Sequence, residues 1–278
     1  MTIQGRKRLL DTFLFLFTVV VAIIFFFPIF FSIMSAFKTN AAIMKDAIAL
    51  PTSLYLGSFK YLLTETQFPR AILNSLVLTV IAILAQVLII PMAGYAIVRR
   101  NTKWTRFVFL FYLAGMMIPF QAYMLPLFKE LKMFGMYGNL VGPIVIYVSG
   151  SVGFGALLYT SFLKGIPIEI EEAAEIDGCS RYGIFWRIVF PLLGPCTASM
   201  VVLNGLGIWN DYLMPMLVLP SGQAKTMVVE IFKYIGEFSS RWDMIFAGTT
   251  LSIIPVMIVF VFLQKYFVKG IASGAIKG

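Results

Sequence analysis

Five carboxylates stand close together in a chain that has few: Glu169, Glu171, Glu172, Glu175 and Asp177 lie between Pro167 and Pro191, followed by Arg181 and Arg187. Carboxylates so grouped could serve an enzyme, ligate a metal or meet a partner protein. The first two uses need company that the sequence lacks. It has no histidine, which removes imidazole relays, His-based triads and His–metal sites. Its two cysteines, Cys179 and Cys196, are too few for a disulfide framework and read as reduced thiols. Neither a catalytic residue nor a metal site is expected. Nor is there a G-x-x-x-x-G-K-[ST] loop; the nearest fragment, GQAKT at 222–226, lacks the spacing. The chain is therefore not expected to hydrolyse ATP by itself.

The elements that must position these residues follow from local rules. Pro167 suits the first turn of a helix, and Glu169, Glu171 and Glu172 then lie near the positive end of its dipole. Asp177 and Gly178 end that helix. Ser180 can cap a second one, with Tyr182, Phe185, Trp186 and Val189 as its apolar face, until Pro191 opens the next apolar run. Two short amphipathic helices joined by a tight turn could lie on lipid headgroups, which favour a basic face. The first helix is acidic instead, which favours a protein partner.

Beyond this stretch the composition is that of a membrane protein. Apolar residues make up 60% of 278 positions, charged residues 13% and mean hydropathy is +0.90, whereas soluble domains are roughly 45–50% apolar and about 25% charged. The fold class is all-α and polytopic. A helix needs about 20 apolar residues to cross the hydrocarbon, and six runs qualify, at 12–36, 70–98, 105–128, 138–163, 191–215 and 244–268. Pro255 is expected to kink the last. Gly150, Gly153 and Gly155 in the fourth suit close helix approach. Arg6, Lys7 and Arg8 resemble the opening of a signal peptide, but the apolar run from Phe13 to Met34 is too long, so the first run is an uncleaved span.

Positive residues collect before span one, between spans two and three (Arg99, Arg100, Lys103, Arg106) and after span six (Lys265, Lys269, Lys277). With six spans these share one side, and the positive-inside rule makes it cytoplasmic, both termini and the acidic stretch included. The net charge of +9 is thereby a topology signal, and no nucleic acid is implied. The connection at 37–69 is external, and a cysteine placed at Ser58 is expected to be reached from outside, unlike Cys179.

Within the fifth span Asn204, Gly207, Ile208 and Asp211 recur at i, i+3, i+4 and i+7 and share a face. Polar groups at that depth must face protein or water. They could line a path for a polar solute, with Trp209 offering its ring and Asn210 its amide; or they could bond neighbouring helices, with Trp209 as an interfacial anchor. Gln121 in the third span, and Asn74 and Gln86 in the second, are weaker candidates of the same kind.

One frame in the acidic stretch is specific. Glu172, Ala173 and Ala174, three residues, Gly178, nine residues, Ile188, one residue and then Phe190–Pro191 resembles the "EAA…G…I.LP" loop of permease subunits of bacterial ABC importers, with Phe190 where leucine is usual. MIPFQAYMLPLF (117–128), LGIWNDYLMPMLVL (206–219) and QKYFVKGIASGAIKG (264–278) are similar to carbohydrate-importer permeases of the maltose-system G type. The likeness covers nearly the whole chain. It implies a type I ABC importer permease fold, with residues 1–278 as one transmembrane domain and 167–191 as its EAA loop, in the bacterial inner membrane. It further implies a second homologous permease subunit, two cytoplasmic ATPase subunits that hold ATP and Mg, and an extracytoplasmic sugar-binding protein. The chain would then be half of a heterodimeric path for a di- or oligosaccharide, working by alternating access. Glu172, Ala173, Ala174, Asp177, Gly178, Arg181, Ile188 and Pro191 would form the ATPase-coupling surface, moving spans four and five, and the tail from Lys269 to Gly278 would reach the ATPases. The rival from another class is an ion-coupled secondary transporter, which usually keeps ionisable or unwound sites at mid-membrane in repeated halves; no such repeat is visible here.

Overall fold

The computed structural model describes residues 3–219, 222–236 and 239–275, and among these there is no strand. In chain order the helices are α1 (Ile3–Ala36), α2 (Asn40–Lys45), α3 (Gly57–Thr64), α4 (Phe68–Arg100), α5 (Lys103–Met116), α6 (Phe120–Met133) and α7 (Val141–Leu163). There follow α8 (Glu169–Ile176), α9 (Arg181–Ile184), a π-helical turn at Phe185–Val189, α10 (Phe190–Leu192), α11 (Gly194–Asn210), α12 (Leu213–Val218), a 3₁₀ turn at Gly222–Ala224, α13 (Met227–Phe232) and α14 (Trp242–Ala275). The chain packs as two compact units, one of Met1–Pro69 with Glu230–Ile254 and one of Arg70–Val229 with Pro255–Gly278.

Among the described residues four helices are long and apolar enough to cross a membrane alone: Leu10–Ala36, Phe68–Arg100, Val141–Leu163 and Trp242–Val259. The other two expected spans are not straight. The run at 105–128 breaks at Met117–Pro119, where α5 and α6 meet at 103°. Pro119 forces Ile118 out of helical geometry, and no hydropathy count registers such a bend. The fifth span begins at Gly194 rather than Pro191, because Leu193 separates α10 from α11 at a bend of 73°. At 17 residues α11 covers about 25 Å, and it stops where Asp211 turns extended (φ −71°, ψ 129°). The last helix runs on to Ala275, and residues 276–278 of the expected polar tail lie outside the described residues.

In the first unit, buried Lys38 extends its ammonium to the carbonyls of Asp46 (2.7 Å), Ala47 (3.1 Å) and Ala49 (2.8 Å), which closes the turn after α2. Ser58, fully buried, donates to Asp243 Oδ2 at 2.9 Å, and Arg241 donates to both oxygens of that carboxylate at 3.0 Å. The expectation that Ser58 faces outward is thereby corrected. Exposed side chains of this connection include Ile48, 75% exposed, alongside the charged Lys45, Asp46, Lys60 and Glu65.

In the second unit the core joins α4, α7, the loop helices and α11: Ile90, Tyr159, Leu163, Ala174, Ile184, Phe185, Val189, Leu193, Cys196 and Met200 pack together. The segment that the sequence marks as a loop is thus partly core. It also lies beside a 33-residue α4 about 50 Å long, well beyond the roughly 30 Å of a hydrocarbon layer.

Candidate functional sites: the acidic elbow and the polar cavity

The elbow is built as its residues dictate, with two shifts. The first helix begins at Glu169 after Ile168, so Pro167 precedes the first turn instead of filling it. Ser180 Oγ accepts from the N–H of Gly183 at 3.2 Å and caps α9. Between them the chain reverses at Gly178, whose φ of +81° is the left-handed geometry that glycine takes without a Cβ penalty. The N–H of Gly178 bonds the carbonyl of Glu175 and that of Cys179 the carbonyl of Ala174.

Helix α8 presents two faces. Glu171 and Ala174 are buried; Glu169, Glu172, Ala173, Glu175, Ile176 and Asp177 are exposed, Ile176 by 87%. Of the second segment, Ile184, Phe185 and Val189 are buried, Trp186 and Ile188 are half-buried, and Arg181, Arg187 and Pro191 are exposed. Tyr182, expected on the apolar face, is 73% exposed, whereas Phe185 and Val189 of that face are buried.

The buried carboxylate is the residue that sequence reasoning passed over. Glu171 Oε1 accepts from Arg99 Nε at 2.7 Å and lies 2.6 Å from Arg99 Nη2; its Oε2 accepts from the Tyr95 hydroxyl at 2.6 Å. Arg99 Nη2 also donates to the carbonyl of Ile166 at 3.0 Å. The Arg99 and Glu171 side chains are 16% and 9% exposed. Tyr95 and Arg99 stand four apart and share a face of α4. The pair sets a cation on the last turn of α4 and an anion on the first turn of α8, each at the dipole end that favours it. Removing one member of so enclosed a pair leaves an uncompensated charge, at a cost of about 3–5 kcal/mol.

The second site is a cavity of about 370 Å³ lined by α4, α6, α7, α11 and α12. All four residues of the predicted α11 face, Asn204, Gly207, Ile208 and Asp211, reach it, with Gln86, Tyr147 and Gly150 opposite and Phe120 and Tyr123 adding aromatic surface. Its polar groups hold one another. Asn204 Nδ2 donates to Gln86 Oε1 (3.1 Å), Gln86 Nε2 to the Tyr147 carbonyl (3.1 Å), and Tyr147 OH to Asp211 Oδ2 (2.9 Å). Asp211 Oδ1 accepts from the N–H groups of Leu213 (2.9 Å) and Met214 (3.4 Å), so one carboxylate braces α7, α11 and α12.

The other candidates stand elsewhere. Trp209 is buried away from the cavity wall, being one residue, or about 100°, off the lining face. Asn210 is exposed and donates to the carbonyl of Leu206 at 2.9 Å. Gln121 is exposed on α6 between the two aromatics that do line the space. Asn74 donates to the Lys225 carbonyl at 2.9 Å, and Ser75 accepts from the N–H of Met227, tying α4 to the start of α13 and the residues before it. Among the described residues no group of three or more His, Cys, Asp or Glu is placed to hold a metal. The cavity offers hydrogen-bonding edges and ring faces, and no nucleophile–base pair.

The chain is similar to known proteins along nearly its whole length. The family model of the binding-protein-dependent transport system inner membrane component matches residues 87–273. The "Probable starch degradation products transport system permease protein AmyC" of Thermoanaerobacterium thermosulfurigenes is 34% identical over 261 residues, 93% of this chain and 94% of that protein. The arabinooligosaccharides transport system permease protein AraQ of Halalkalibacterium halodurans is 33% identical, covering 93% of each. The maltodextrin transport system permease protein MalD of Streptococcus pneumoniae is 30% identical over 100% of this chain and 99% of its own. Among solved structures, a chain of a bacterial ABC transporter that imports the acidic polysaccharide alginate superposes with a TM-score of 0.81 at 22% identity, over 94% of this chain and 98% of that one.

Proposed function

This chain belongs to the inner-membrane components of binding-protein-dependent transport systems, and from that premise we propose that it is one permease subunit of an ATP-driven importer of oligosaccharides. The chain is itself a non-catalytic membrane component. The observation that carries the reading is the two-faced α8: one face is fixed into the body by Glu171 and Ala174, while Glu172, Ala173, Glu175 and Ile176 form an exposed acidic and apolar ridge. Such a ridge fits a cleft on a partner. Here the partner is an ATPase subunit, and ATP and Mg²⁺ belong to it. Glu172 meets a basic group or backbone donor there, Ala173 permits close approach, and the Gly178 turn sets the angle at which α8 is offered. Two ATPases, a second permease and an extracytoplasmic binding protein complete the assembly, with both termini and α8 on the cytoplasmic side.

Sugar, as the cargo, rests on two supports. Relatives that match across nearly the whole chain carry names of starch-product, arabino-oligosaccharide and maltodextrin transport. The cavity joins amide, carboxylate and phenol groups to two aromatic rings, the mixture that recognises hydroxyl-rich rings with apolar faces. We place Asn204, Gln86 and Asp211 on that path, and leave Trp209, Asn210 and Gln121 off its wall.

The test is uptake into proteoliposomes holding this chain, its companion permease and its ATPases, with the cognate binding protein outside. Maltotriose, arabinotriose and raffinose are the probes. Accumulation of one of them only with ATP inside is the expected result; accumulation by this chain alone under a sodium or proton gradient would establish the secondary-transporter reading instead. For orientation, a cysteine at Ile48, not Ser58, is expected to react with an impermeant maleimide from outside, while Cys179 does not.

A further inference from the structure

We propose that Glu171, Arg99 and Tyr95 form a coupling latch, which makes α4 a lever of the acidic elbow and carries the motion of α8 to the cavity. The inference rests on the reading of α8 as the ATPase-docking helix, and it adds a route that the sequence did not suggest. The two spans that flank the elbow in sequence, α7 and α11, are attached to it by chain connection. α4 is distant in sequence, yet polar side chains fasten it to the elbow. Three side-chain contacts of 2.6–2.7 Å and one to the Ile166 carbonyl join it to the elbow, and the Tyr95 ring lies 5.2 Å from that of Phe185 in the π turn.

The far partner of this lever is Gln86. It is buried on the same helix, thirteen residues before Arg99, or about 20 Å along the axis. Its amide links Asn204 of α11 to the Tyr147 carbonyl of α7, and that link forms part of the cavity wall. Between the two points α4 remains helical through Pro91, with Ile90 packed in the core shared by the elbow and α11. A shift of α8 therefore displaces the amide that closes the polar chain of the cavity. Glu171 touches no substrate; it is a positioning residue, and its charge is what holds the joint.

The experiment uses the complete complex in proteoliposomes with whichever of maltotriose, arabinotriose or raffinose the native complex accumulates. Glu171→Gln keeps the shape and removes the charge. The expected result is that the ATPases remain bound through the intact outer face of α8, while sugar taken up per ATP hydrolysed falls by about five- to fifty-fold. In the same variant, a cysteine introduced as Gly150→Cys in the cavity loses the nucleotide-dependent change in its alkylation rate. The exchange Arg99→Glu with Glu171→Arg restores part of the ratio. Where Glu171→Gln does not assemble, Tyr95→Phe, which removes one hydroxyl, is expected to lower the ratio by a smaller factor. An unchanged ratio in an assembled Glu171→Gln complex overturns the latch, as does loss of the ATPases with the ratio of the remainder unchanged, which marks a purely structural ion pair. A native complex that binds no ATPase overturns the importer reading beneath it, a result separate from both.

Discussion

Among the four glycines of helix α7, Gly150 and Gly153 are one turn apart and meet different surroundings, which permits a prediction in which shared terms cancel. A methyl group on Gly153 would collide with Met116 Cγ and stand 2.7 Å from the Tyr112 carbonyl oxygen; on Gly150 it would meet nothing within 4 Å. Both sit inside one apolar helix, so the gain in helix propensity on changing glycine to alanine, about 1 kcal/mol, applies to each and drops out of their difference. What remains is the overpacking term. Met116 can swing aside, but Tyr112 offers backbone, so α5 must move off α7, at a cost of about 1–3 kcal/mol. With about 2–4 °C of midpoint shift per kcal/mol in chains of this order, Gly153→Ala is expected to melt roughly 4–8 °C below Gly150→Ala for a midrange cost. The assay is thermal unfolding of the two variants in the same detergent, followed by a thiol-reactive dye at Cys196, which is fully buried when folded. Equal midpoints, or a lower one for Gly150→Ala, would refute the close approach of α5 to α7.

Gly178→Ala is expected to weaken retention of the ATPases, because a Cβ at φ +81° costs about 1–2 kcal/mol; Gly178→Asn, which tolerates that geometry better, retains more of them in pull-down. Gly150→Trp directs a large ring into the 370 Å³ cavity and is expected to abolish uptake while the complex purifies with all its subunits; undiminished uptake would place the path elsewhere. Lys38→Met strips three carbonyls of a charged donor and is expected to cost about 2–3 kcal/mol, read as a lowered melting midpoint and faster proteolysis between residues 46 and 49.

Local signals carried well from sequence to structure. The turn at Gly178, the Ser180 cap and the common face of Asn204, Gly207, Ile208 and Asp211 each depend on residues within one or two helical turns. What failed to carry was anything set by a distant neighbour. Glu171 and Glu172 are adjacent acids on one short helix, and nothing in their own segment says which faces inward. The answer lies in Arg99, 72 positions earlier. Trp209 adjoins the lining face in sequence, yet one residue of helix turns it about 100° away. The break at Met117–Pro119 hides inside a continuous apolar run, since hydropathy measures length and composition but not direction.

These cases bear on how the cavity and the elbow are related. The polar groups of the cavity bond one another in series, from Asn204 to Gln86 to the Tyr147 backbone, and from the Tyr147 hydroxyl to Asp211. A sugar entering this space must either use the lone pairs and edges left over or exchange its hydroxyls for contacts the wall already makes. The second course is costly while the helices stay put, because each displaced group would have to find a new partner. On the proposed latch, a movement of α4 would stretch the Gln86 links to α7 and α11 and free their donors and acceptors. A wall satisfied in one arrangement and receptive in another is what alternating access requires of a subunit with no chemistry of its own. On this argument Gln86→Leu, which removes the internal partner without moving α4, should leave Asn204 receptive in both arrangements, raising apparent affinity for sugar from the inner side and lowering net accumulation; unchanged accumulation would separate the cavity from the path.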